Sequence, residues 1–181
     1  MSSAVQMLSP LKMSRREKIL DAAESLFRGL GFRATTMTSV AEQVGMSKVT
    51  VYSYFSDKDA LFEAVASRIA DSLRVAVLSA LKEISDPREA VTTALTRKHL
   101  MVFDLVRSSD FSMELFAAKS LFAASQFKQL DQDIEKALGN KLSDKSLARI
   151  LFGASIGIAN KSMDKEQLQK DLGRLIDKMV P

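Results

Sequence analysis

Apolar positions recur at helical three- and four-residue spacing along most of the chain and alternate nowhere, so the pattern predicts helices and no strands. The first stripe is Ile19, Ala23, Leu26, Phe27 and Leu30, opened by the capping box Ser14-Arg15-Arg16-Glu17 and bracketed by Gly29 and Gly31, with Phe32 reaching the core beyond. Residues 1–13 show no periodicity. Pro10 is expected to keep them out of a helix, as a flexible arm whose Lys12, with Arg15 and Arg16 beside it, is within reach of phosphates. Between Thr38 and Lys58 lie two short segments. Thr38 is the expected cap of the first, with Val40, Ala41 and Val44 on its apolar face, and Gly45 supplies a left-handed stop. Ser47 then caps a second helix beginning at Lys48. Asp57 caps a long helix running to about Ile84, with Leu61, Val65, Ile69, Leu73, Ala76, Ala80 and Ile84 on one side, roughly 40 Å of rod.

Asp86-Pro87-Arg88-Glu89 restarts the chain with a capping box and a proline at the first helical position. Val91, Leu95, Val102, Leu105 and Val106 point inward until Ser108-Ser109-Asp110, an expected break. After a Phe-, Met- and Ala-rich stretch, a helix over Leu130 to Leu138 should stop at Gly139-Asn140. Ser143 is the expected cap of the next, with Leu147, Ile150, Leu151, Ala154 and Ile158 in line. Asp164-x-x-Gln167 opens the last, whose Leu168, Leu172, Leu175, Ile176 and Met179 approach a 3.5-residue repeat.

The segment from Lys48 to Phe55 is unlike the rest. Val51 and Phe55 share one stripe suited to a core, while Lys48 with Tyr52, Val49 with Ser53, and Thr50 with Tyr54 make polar or mixed stripes left for a partner. Both tyrosines of the chain fall here. Thr38–Lys58 therefore reads as a helix-turn-helix whose second helix acts outside the protein. Charge agrees with this: residues 1–58 carry a net +3 and the remaining 123 only +1. A helix N-terminus with lysine favours phosphate oxygens, and a few groove-facing side chains then set the sequence read.

Composition removes other classes. Cysteine is absent, which excludes disulfides and thiolate metal sites and fits a reducing cytoplasm. The single His99 lacks the convergent partners a zinc site needs, and there is no glycine-rich phosphate loop or paired carboxylates beside a nucleophile, so neither an enzyme nor a cofactor is expected. No apolar run approaches the roughly 20 residues of a membrane span, and the start of the chain lacks the pattern of a signal peptide.

The segment Phe-Arg-Gly-Leu-Gly-Phe, then Thr-Thr-Met-Thr, then Val-Ala-Glu-Gln-Val-Gly-Met-Ser-Lys-Val-Thr-Val-Tyr-Ser-Tyr-Phe and Asp-Lys-Asp-Ala-Leu-Phe resembles the tetracycline-repressor (TetR) family of transcriptional regulators over about residues 14–65. The resemblance implies an all-α protein. A three-helix DNA-binding domain (14–60) follows the arm (1–13), and a long helix joins it to a helical ligand-binding and dimerisation domain (61–181). It implies phosphate contacts from Thr38, Tyr52, Tyr54 and Lys58, with Ser47 capping the recognition helix and Lys48, Val49 and Thr50 facing base edges. Two positions depart from the family. Val49 stands where glycine is common and offers an apolar tip to a thymine methyl. Ser53 stands where relatives often carry an aromatic.

Paired half-sites require a twofold. Ile150, Leu151, Gly153, Ala154, Gly157 and Ile158, with Leu168, Leu172, Leu175, Ile176 and Met179, are the expected four-helix interface of a homodimer; the alternative is that both helices only close the monomer core. Met101, Phe103, Phe111, Met113, Phe116, Phe122 and Phe127 suit either a core or, as the resemblance implies, a pocket for a small apolar or amphipathic effector. Arg97, Lys98, His99, Asp104, Arg107 and Glu114 are its candidate polar anchors. The expected function is a cytoplasmic, ligand-responsive repressor binding a palindromic operator on double-stranded DNA. The alternative is a helical small-molecule-binding or interaction protein with a weak or inactive head.

Overall fold

The computed structural model describes residues 10–107 and 121–180, and every element in them is helical. In chain order these are α1 (Pro10–Ala34), α2 (Met37–Val44), α3 (Lys48–Tyr54), α4 (Lys58–Glu83), α5 (Pro87–Arg107), α6 (Leu121–Leu142), α7 (Lys145–Lys161) and α8 (Lys165–Met179). None is long and apolar enough to cross a membrane.

Helix α1 starts earlier than its sequence suggests. Pro10 does not exclude a helix here: it is the first helical residue, where its missing N–H is unneeded and its fixed φ is already helical. Ser14 and Glu17 therefore lie within the helix rather than at its cap, and only residues 1–9 of the expected arm fall outside the described residues. Ile19, Leu20, Ala23 and Phe27 are buried, whereas Leu30 is exposed. The reason is Gly31, whose φ of 80° and ψ of 164° break the helical path. The chain swings there, and Phe32 rather than Leu30 reaches the core, its ring 5.7 Å from that of Phe27 and 4.9 Å from that of Phe62.

Helix α4 is the spine. Its 26 residues pack against α1 at one end and against α5 and α6 along the rest, so one apolar core runs from Ile19 to Val180. Leu61, Val65, Ile69, Leu73 and Ala80 are buried as the stripe predicts, but Val77 takes the place expected of Ala76, which is half-buried. Arg68 on α4 clamps three α1 carboxylates, at 2.6 Å from Asp21, 2.6 Å from Glu24 and 3.5 Å from Glu17. The N-terminal half of α4 is thus fixed to α1. Asp57 caps α4 by accepting from the Ala60 N–H at 2.8 Å, and that bond, with a second from the Ser56 hydroxyl, holds its carboxyl below the usual range.

Four expectations in the C-terminal part are corrected. Helix α6 begins by Leu121, not Leu130, and passes through Gly139-Asn140 without stopping. Gly139 instead lets α7 approach: a Cβ there would lie 3.3 Å from Lys145 Cγ and 3.4 Å from its Cα. Ser143 is not the cap of α7. It takes a left-handed φ of 55°, and Asp144 caps by accepting from the Leu147 N–H at 2.9 Å. The inward face of α7 is Ala148, Leu151, Phe152 and Ser155, so the residues expected in line divide between two faces. The expected break at Ser108-Ser109-Asp110 lies outside the described residues.

Candidate nucleic-acid interface

The turn that presents α3 is built from local hydrogen bonds. Thr36, not Thr38, caps α2: its hydroxyl accepts from the Ser39 N–H at 3.0 Å, and the Ser39 hydroxyl accepts from the Thr36 N–H at 3.0 Å. Thr38 lies within the first turn, half-buried. Gly45 ends α2 at φ 68°, ψ 34°, a conformation that favours glycine, and the Met46 N–H closes back on Ala41 O at 2.9 Å. Ser47 caps α3 by accepting from the Thr50 N–H at 3.1 Å, and the two hydroxyls lie 2.8 Å apart.

These bonds fix which face of α3 turns out. Val51 and Phe55 are buried, and filling that slot contributes about 1.5–3 kcal/mol for each side chain. Tyr54 is half-buried against the same core. Lys48, Val49, Tyr52 and Ser53 then form one contiguous exposed face, with Val49 80% and Tyr52 50% exposed. Thr50 is half-buried at its edge, and Ser53 Oγ donates to Thr50 O at 2.6 Å. An exposed valine is unfavourable in water, and here it sits beside a lysine and a tyrosine on a rigidly capped helix. Arg16 of α1 lies 5.3 Å from the centre of the Phe55 ring, so the basic first turns of α1 flank this face.

Lys58 does not join it. Its ammonium donates to Phe32 O at 2.8 Å and Thr35 O at 3.0 Å, with Arg33 O at 3.4 Å, and lies 4.2 Å from the Phe32 ring centre. Ammonium has three donors, and the carbonyls left open where α1 ends take them up. Lys58 thus acts here as a strut between α1 and α4, which sequence reasoning missed. So did it miss Arg68, although acids at Glu17, Asp21 and Glu24 mark a helical stripe that calls for a cation.

The expected dimer residues divide. Leu151, Leu168, Leu172 and Ile176 are fully buried inside the protomer, because α8 packs its apolar stripe against α5 and α7. Leu175 and Met179 are partly buried against the same core. Ile150, Gly153, Ala154, Gly157 and Ile158 instead share the outward face of α7, with Ile150 54% exposed.

Of the expected pocket residues, the described Met101 and Phe127 line different clefts. Phe111, Met113 and Phe116, with Glu114, lie outside the described residues, as do the side chains of Phe122 and Arg107. Met101 lines a cleft of about 170 Å³ with Leu73 and Leu105, Phe103 is half-buried, and Phe127 lines a separate cleft of about 500 Å³ that also holds Lys98. His99 is 3% exposed, its Nε2 2.9 Å from Ser155 Oγ, and burial with the nearby Lys98 charge pushes it down to about 3. Ser155 Oγ donates to Phe152 O at 2.7 Å, so it accepts from Nε2–H.

Residues 19–65 match the family of bacterial regulatory proteins, tetR family. Over these residues the chain carries a tetR-family domain. It is 22% identical over 144 residues to the HTH-type transcriptional regulator YhgD of Bacillus subtilis (strain 168), covering 80% of this chain and 73% of that one. It is 36% identical over 81 residues to the transcriptional activator FasR of Mycolicibacterium smegmatis (strain ATCC 700084 / mc(2)155), covering 45% and 37%. With RutR of Escherichia coli O157:H7 it shares 30% over 129 residues, covering 71% and 58%. The chain therefore spans about three quarters of YhgD but less than two thirds of FasR and RutR. Its fold is that of a TetR/AcrR-family regulator from Thermobifida fusca YX-ER1, at 18% identity, TM-score 0.74 and 90% and 96% coverage of the two chains. A transcriptional regulator from Cytophaga hutchinsonii ATCC 33406 is similar at 22% identity, TM-score 0.74 and 91% and 95% coverage.

Proposed function

We propose that this protein is a cytoplasmic transcription regulator of the tetR family that binds an inverted-repeat operator as a homodimer and acts as a ligand-responsive repressor. The observation that carries the reading is the solvent face of α3: Lys48, Val49, Tyr52 and Ser53 outward while Val51 and Phe55 anchor the helix beneath. Lys48 and the Tyr52 hydroxyl grip phosphates, with Thr38, Ser47 and Tyr54 at the edge, and Val49 and Thr50 meet base edges. The outward stripe of α7, Ile150, Gly153, Ala154, Gly157 and Ile158, is the proposed twofold, since small residues let a partner helix approach closely. The proposed domains are residues 14–60 for DNA and 61–181 for effector and dimer, with α4 joining them.

In this reading an effector favours one spacing of the two α3 helices over the other and so changes DNA affinity. The test is retardation of DNA from upstream of neighbouring genes. Tyr52→Phe weakens binding by a similar factor on operator and unrelated DNA, and binding declines with added salt. Retention of unrelated DNA and operator with equal affinity contradicts sequence-specific regulation. A reporter in a strain lacking the protein fixes the sign: expression rises if it represses and falls if it activates, as FasR's name describes for that relative.

A further inference from the structure

Among the described residues, Lys98 is the buried side chain that carries a formal charge; it is only 7% exposed. It rises from α5, its ammonium 4.7 Å from the Phe152 ring centre of α7 and 3.3 Å from Asp131 Oδ1 of α6. It also lines the cleft of about 500 Å³, within the roughly 300–1,000 Å³ range of small-molecule pockets. Leu73 of α4, Val102 of α5, and Phe127 and Leu130 of α6 supply apolar walls, and Lys128, Gln132 and Glu135 complete the lining with Asp131.

The two members of the ion pair are unequal. The Lys98 side chain is 8% exposed and that of Asp131 45%. Asp131, about half exposed, can turn to water and recover its hydration there. Lys98 cannot follow it, and a buried cation without a counter-charge is strongly unfavourable. Burial already pulls the Lys98 ammonium below its ordinary range, with Asp131 opposing that shift. The cleft therefore releases its own carboxylate only in exchange for another anion.

We propose that this cleft binds a small monoanionic amphiphile, whose carboxylate-like head replaces Asp131 at Lys98 while its apolar body lies along Leu73, Val102, Phe127 and Leu130. One charge suits the site: Lys128 and Glu135 offset each other on the lining, and a second negative charge would face Glu135 and the displaced Asp131. Because Leu73 belongs to α4, the occupied cleft bears on the helix that carries the DNA-facing end. This deepens the ligand-responsive reading and rests on it for the effect at DNA, though not for binding itself.

The test is calorimetric titration of the full chain with octanoate and, for comparison, octanol and octanedioate. Octanoate binds at least about tenfold more tightly than either, the scale of one charge-assisted contact. Lys98→Met, matched in length, removes that preference. Asp131→Asn, which removes the internal competitor, strengthens octanoate binding about three- to tenfold and keeps the test informative should Lys98→Met fail to fold. Equal binding of octanoate and octanol by the wild type, or an octanoate affinity unmoved by Asp131→Asn, overturns the proposal. A parallel titration against DNA separates the two claims: octanoate that binds without altering DNA affinity leaves the site standing and removes the ligand-responsive reading. Intact DNA binding with no octanoate binding removes the site alone.

Discussion

The Lys58 ammonium lies 2.8 Å from the carbonyl oxygen of Phe32 and 4.2 Å from the centre of the same residue's ring. Backbone and side chain of one residue are thus held by one cation, and the start of α4 is tied to the end of α1. Lys58→Met is expected to lower stability by about 2 kcal/mol, the scale of hydrogen bonds to a charged group. A phosphate contact would reveal itself differently, reducing the slope of log affinity against log salt by about 0.9. Urea unfolding together with a salt series of DNA binding checks both: midpoint lowered, slope unchanged.

Gly31→Ala is a second test of the same corner. A φ of 80° with a ψ of 164° belongs to a region open essentially to glycine alone, and forcing a Cβ into it costs about 1–3 kcal/mol. The expected result is a lower urea midpoint at unchanged m-value. Equal stability would mean that the turn placing Phe32 relaxes freely.

How far these features were legible depends on what each required. The α3 face was readable because a four-residue period and two core positions, Val51 and Phe55, decide it locally. The cap of α2 was not: Thr35, Thr36 and Thr38 are chemically alike, and only the backbone's turn selects Thr36. Gly139 reads as a stop signal, yet it serves the approach of Lys145, a contact between helices that no local pattern shows. Leu168, Leu172 and Ile176 form a stripe that fits a partner chain or the protomer's own α5 and α7 equally well, and the packing chose the latter. The strut made by Lys58 and the burial of Lys98 were not legible for one reason: a lysine's reach exceeds what spacing alone can resolve.

His99 makes stability depend on pH. Its folded value of about 3 lies below the ordinary value near 6.5 for an unfolded chain. Between the two the unfolded state holds a proton that the native state lacks, so stability is full above about 6.5 and falls as pH drops toward 3. From pH 7 to pH 5 this amounts to about 2 kcal/mol. His99→Gln keeps a donor for Ser155 and removes the titration, and urea unfolding at both pH values should show a shallower loss by that amount.

Ile150→Asp separates the twofold from the fold. Ile150 is exposed on the outward face of α7, so a charge there leaves the protomer folded and disrupts the proposed dimer. Sedimentation at micromolar concentration is expected to shift to a single 19.9 kDa species with unchanged helical content. A wild-type protein that is itself monomeric contradicts the twofold.

The central claim is that the exposed face of α3 reads DNA sequence. Selection from a random duplex library, run side by side with wild type and Val49→Ala, tests it most directly. The account predicts an enriched inverted repeat whose half-site centres lie about 10 bp or a multiple apart. It also predicts a changed base preference at one position of each half-site in the variant. No enriched sequence, or the same preference at every position with and without the Val49 side chain, would contradict it.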